Sequence, residues 1–156
     1  VYDWAAHRQT RFRWWNARMR ATLSRVDMVR LDHFRGIEGY WAVPAGELTA
    51  ERGEWLPGPG AALLEAMRSS LECLPLVAED LGVITPEVDA LRENYGLPGM
   101  RVLQFAFGGA VESRFLPHRF TRDLLVTTGT HDNDTTRGWF AGLTAAERVA
   151  FESYAP

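Results

Sequence analysis

Four short apolar runs, at 26–32, 75–79, 100–107 and 124–133, recur along the 156 residues, and most are separated by stretches of helical periodicity. Strands alternating with helices predict a parallel sheet built through crossover connections, hence an α/β fold. Three of the runs close on acidic residues: Asp32, Glu79 and Asp132. A (β/α)₈ barrel projects its catalytic groups from the carboxyl ends of several strands, and this distribution is what such a TIM barrel would show. A doubly wound sheet is the competing architecture, but no glycine-rich phosphate loop follows any run. A whole barrel takes about 250 residues. The expectation is therefore one partial barrel domain over 1–156, roughly half of the eight strand-helix units.

The elements between the runs read as follows. Phe12, Trp15, Met19 and Leu23 form an apolar stripe of helical spacing, with Arg11, Arg13, Arg18 and Arg20 off it. Residues 36–60 are crowded with Gly and Pro and are expected to be a long loop excursion, carrying Tyr40, Trp41 and Trp55 as a possible ligand rim. Ala61 to Leu71 resumes a helix. Thr85 and Pro86 open another, which Gly96 closes, and Thr144 with Glu147 forms a capping box before the last one.

Composition narrows the partners. A net charge of −3 without a basic cluster gives no footprint for nucleic acid or an anionic membrane. No apolar run reaches the ~18 residues of a membrane span. Cys73 is the only cysteine, so no internal disulfide forms, and a reducing compartment, the cytoplasm, is expected. Aromatic residues at 12% exceed what a core of this size needs and suit sugar rings.

Arg30 and Asp32 fall on one face of the first strand, because alternate residues share a face. A guanidinium there can keep the carboxylate ionised and fix its direction, as a carboxylate nucleophile requires; a purely structural ion pair is the other reading. Three carboxylates at strand ends, with neither a phosphate loop nor a Ser-His pair, suggest glycosidic-bond chemistry. Metal binding by Asp32-His33 and His131-Asp132 is the rival, but neither pair has a spacing that aims both members at one ion. No metal and no cofactor are expected.

The runs VRLDHFRGIEGYWAVPAG, VAEDLGVITPEVDALRENYGLPGMRVLQFAF and TGTHDNDTTRGWF resemble the amylomaltases, the 4-alpha-glucanotransferases or disproportionating enzymes of glycoside hydrolase family 77. One departure is Thr127, where relatives often carry Tyr. The resemblance implies a cleft for α-1,4-glucan and maltooligosaccharides, as in starch, maltodextrin or glycogen metabolism. It implies Asp32 as nucleophile, Glu79 as general acid/base and Asp132 as the carboxylate that grips the distorted ring. It further implies Arg30 and His131 as supporting residues, and Trp41 and Phe105 as aromatic lining. The alternative is a truncated barrel fragment that at most binds glucan. Strict alternation cannot send both His131 and Asp132 inward, so the chain is expected to turn there.

Overall fold

The computed structural model describes residues 2–107 and 113–155. They form two compact units, Val1–Pro98 and Gly99–Pro156. No helix among the described residues is long and apolar enough to cross a membrane.

The first unit opens with α1 (Trp4–Gln9) and α2 (Arg13–Leu23). The expected stripe is thus interrupted at its start. Arg11 and Phe12 are left-handed, at φ 50° and 54°, which costs each side chain roughly 1–2 kcal/mol. Burial of Phe12 to 4% exposure offsets this, since a buried Phe is worth about 1.5–3 kcal/mol. Trp15 and Met19 are buried on α2 as their spacing requires.

β1 (Val29–Leu31) follows, and pairs in parallel with β4 (Leu76–Ala78) in the register Val29 with Leu76, Arg30 with Val77 and Leu31 with Ala78. The connection between them runs through α4 (Ala61–Leu71), and Phe34, Leu63, Leu64, Met67 and Leu76 make the fully buried centre of the unit. α5 (Pro86–Asn94) starts on Pro86 and is followed by Gly96 at φ 61°, although the Thr85 hydroxyl makes no capping bond.

Residues 36–60 are more ordered than a loop excursion. α3 (Arg35–Glu38) runs into β2 (Gly39–Ala42), which pairs antiparallel with β3 (Glu54–Pro57), Trp41 opposite Trp55. Tyr and Trp are strand formers that pair well across a hairpin; Pro44, Gly46 and Gly53 fall in the connection and Gly58, Pro59 and Gly60 just after β3, while Gly39 and Pro57 are the first and last residues of the paired strands. Gly58 is needed where it stands, because a Cβ there would strike the carbonyl of Ile37.

In the second unit β5 (Gly99–Val102) pairs in parallel with β6 (Leu124–Thr127). Both strands are shorter than the apolar runs. After Val102 the chain winds into a 3₁₀ turn, Leu103–Phe107, which buries Gln104, Ala106 and Phe107. Alternation of Leu103, Phe105 and Phe107 imitates a strand, but these residues pack at turn spacing. α6 (Thr136–Gly142) and α7 (Ala145–Tyr154) complete the unit. Phe107 and Phe151 meet edge to face at 5.0 Å, and α7 starts on the expected Thr144–Glu147 capping box.

Candidate active site

Parallel pairing of β1 with β4 decides where the first two carboxylates go. Hydrogen bonds continue past the strands, with Glu79 N–H donating to the Leu31 carbonyl at 3.0 Å and Phe34 N–H donating to the Glu79 carbonyl at 3.0 Å. Asp32 and Glu79 are thereby the next pair in register.

Arg30 meets Asp32 as alternation demands, Nη2 to Oδ1 at 2.6 Å. The Asp32 side chain is 72% exposed. Its partner fixes its direction without sealing it from an incoming molecule. Glu79 is half-buried and anchored at both oxygens: Oε2 accepts the His33 N–H and Oε1 the Leu81 N–H, each at 2.8 Å. His33 can point its amide that way because its backbone is left-handed, at φ 47°. Each carboxylate oxygen retains lone-pair capacity for a further partner.

Beneath this pair lies a carboxylate to which the sequence reading gave no role. Asp80 is completely buried, on the face opposite to Glu79, with Arg92 Nε 3.7 Å from its Oδ2. Alternation along 77–80 carries the signal, since a residue next to an outward Glu79 must turn into the core, where a carboxylate needs a cation.

His131 and Asp132 stand together in the second unit, Nε2 to Oδ2 at 3.4 Å, both mostly exposed. They sit on a turn, as expected. The Thr130 N–H and hydroxyl both donate to Asn133 Oδ1, at 2.8 and 2.9 Å, and Asn133 N–H returns to the Thr130 carbonyl at 3.1 Å. Gln104 pins the far end of that turn, donating to the Asp134 carbonyl at 3.0 Å. Its buried amide also escaped the sequence reading, because it lay inside what looked like a strand.

Trp41 is held on the hairpin by its indole N–H, which donates to the Ala50 carbonyl at 2.8 Å, and by edge contact with Trp55 at 5.6 Å. With Trp4, Trp15, Tyr40, Asp32 and His33 it lines a cavity of about 310 Å³. A larger hollow of about 740 Å³, lined by Arg8, Phe12, Arg20 and Glu65 among others, lies away from the carboxylates and holds none of these groups. Phe105 is 40% exposed, one edge packed on Phe115 at 5.4 Å. Among the described residues no three His, Cys, Asp or Glu side chains are grouped as around an ion.

The family model for 4-alpha-glucanotransferase, glycoside hydrolase family 77, matches residues 1–155. The chain belongs to that family. It is 55% identical to a 4-alpha-glucanotransferase of Synechocystis, over 90% of this chain and 28% of the relative. With the Thermus thermophilus 4-alpha-glucanotransferase it shares 46% identity, over 99% of this chain and 31% of the relative. The amylomaltase of Streptococcus agalactiae, solved in complex with acarbose, superposes with a TM-score of 0.93 at 35% identity, covering 99% of this chain and 31% of that one. This family 77 segment thus spans under a third of the length of these relatives.

Proposed function

We propose that this segment supplies the nucleophile and the acid/base of a 4-alpha-glucanotransferase, an enzyme moving part of an α-1,4-glucan onto glucose or a maltooligosaccharide. The observation that carries the reading is the common end of β1 and β4. Leu31 pairs with Ala78, so Asp32 and Glu79 follow side by side on strands that pair about 4.8 Å apart. Retaining glycosidases hold their two carboxyls about 5–5.5 Å apart, whereas inverting ones leave about 6.5–9.5 Å for a water.

In the first step an Asp32 oxygen attacks the anomeric carbon, the bond to the leaving sugar breaks, and Glu79 gives its proton to the departing oxygen. In the second, Glu79 takes the proton of an incoming sugar hydroxyl, whose oxygen displaces Asp32 from the same carbon. Two inversions give retention. Arg30 holds the Asp32 carboxylate in direction. Asp132 and His131 grip hydroxyls of the ring undergoing substitution, and Trp41 and Phe105 offer aromatic faces to neighbouring sugars. The chemistry calls for no metal or cofactor.

The same reading takes both parallel strand pairs as parts of one (β/α)₈ barrel, with the β2–β3 hairpin as an excursion from it. The cytoplasm is the proposed compartment. The test is a chimera in which this segment replaces the matching one of the Thermus thermophilus enzyme. Incubation with maltotriose should release glucose and build longer maltooligosaccharides. Release of glucose without chain growth would make it a hydrolase, and no reaction would favour a fragment that only binds glucan.

A further inference from the structure

Three residues past Asp32, Arg35 makes two contacts that tie separate parts of the first unit together. Its Nη1 donates to the Val83 carbonyl at 2.5 Å, and its guanidinium lies over the Trp55 ring, 4.3 Å from the centroid. Val83 belongs to the stretch that leaves Glu79 for α5, and it is itself 81% exposed, so its own burial does not hold it in place, although the neighbouring Ile84 packs against the core. Trp55 belongs to the hairpin and is itself 55% exposed. The planar fork of Arg serves both contacts at once: its edge donates while its face stacks, a combination that a Lys ammonium cannot reproduce. The stretch after Glu79 is thus fastened at Leu81, through the carboxylate itself, and again at Val83, through Arg35.

We infer that Arg35 is a positioning residue for Glu79, holding the 79–83 stretch so that the acid/base carboxyl meets the leaving oxygen. The inference rests on the reading of Glu79 as the acid/base. Arg35 needs no contact with substrate. Its loss leaves Asp32 with its Arg30 partner and withdraws only the precision of proton delivery.

The experiment compares two donors in the full-length chimera: maltotriose, whose leaving sugar needs a proton, and an α-maltosyl fluoride, whose leaving group does not. Values of kcat/KM report events up to formation of the covalent intermediate. Arg35→Lys and Arg35→Ala should lower kcat/KM for maltotriose by about tenfold or more and for the fluoride by less than about threefold. Trp55→Leu, which removes only the stacking face, should give the same selectivity at about threefold. It carries the test should the Arg35 variants not fold. Glu79→Gln is run beside them. A selective loss in Glu79→Gln, with equal losses on both donors in the Arg35 and Trp55 variants, would overturn the role of Arg35 alone. Equal losses on both donors in Glu79→Gln would remove the acid/base reading, and Arg35 with it.

Discussion

The backbone N–H of His33, one residue beyond Asp32, donates to Oε2 of Glu79 over 2.8 Å. The turn that follows β1 therefore also orients the Glu79 carboxylate. Such a link suits the proposed retaining chemistry, in which one carboxyl acts on the anomeric carbon and the other on the oxygen bonded to it.

Glu79→Gln should expose the cost of that anchor. Gln has one acceptor oxygen where Glu has two, so its NH₂ must face the N–H of either His33 or Leu81. Loss of one such bond should cost about 1 kcal/mol, seen as a lower thermal midpoint of the full-length chimera. The variant should still react with donors that carry activated leaving groups. An unchanged midpoint would mean that the two bonds do not persist in solution.

Arg30→Met tests the partner of Asp32. Both side chains are partly exposed, so screening should hold the stability change below about 1 kcal/mol. Turnover should fall about 10- to 100-fold, because the carboxylate loses a charge-assisted bond that aims it. Steady-state kinetics beside thermal melts of the full-length chimera separate the two effects. A large loss of stability with unaltered kcat would make the pair structural.

Much of this site is legible in the chain itself. Period two puts Arg30 beside Asp32, and the Pro75 run shows where β4 begins. Strand ends are harder to read. LQFAF alternates like a strand but winds into a 3₁₀ turn, because Gln104 spends its N–H on the Thr128 carbonyl and its side chain on the Asp134 carbonyl. No local pattern reports bonds to residues more than twenty positions away. The Glu79 anchors are hidden for a related reason, since backbone amides leave no trace in side-chain identity. The β2–β3 hairpin was masked by its own Gly and Pro residues, although Trp41 opposite Trp55 is a strand-forming pair.

α7 offers a pH test. The Thr144 hydroxyl, and then its backbone N–H, donate to the Glu147 carboxylate at 2.7 and 2.9 Å and hold its pKa below the usual glutamate value. A group lowered on folding stabilises fully above its unfolded pKa, and loses that contribution as pH falls through the folded value. Thr144→Ala should destabilise the protein at neutral pH and less so in acid. Melting midpoints of the full-length chimera against pH check this; an equal deficit at every pH would show that the capping carboxylate is uninvolved.

EDTA should leave transfer by the full-length chimera unchanged, because the displacement proposed for Asp32 and Glu79 uses protons and a carboxylate only. Activity lost to chelation and restored by a divalent ion would revive His33 and His131 as metal ligands.

Produced alone, the 156-residue polypeptide should be inactive, and aggregated or loosely folded. Val77 and Val102 are buried within their units, but Val126 is 45% exposed on a two-stranded sheet, an edge of the kind that invites association. Light scattering and a melt decide the matter. A monomer with a sharp cooperative transition and measurable transfer would contradict the half-barrel reading.

The most direct test is to find the atom that carries the sugar. The full-length chimera with Glu79→Gln, mixed with an α-maltosyl fluoride, should form the covalent intermediate but lack the base that resolves it. Peptide mass spectrometry should then place one maltosyl unit on Asp32, and the adduct should vanish when Asp32→Asn is added. A maltosyl unit on Asp132 or Asp134, or fluoride consumed in the Asp32→Asn variant at an undiminished rate, would contradict the assignment of Asp32 as the nucleophile.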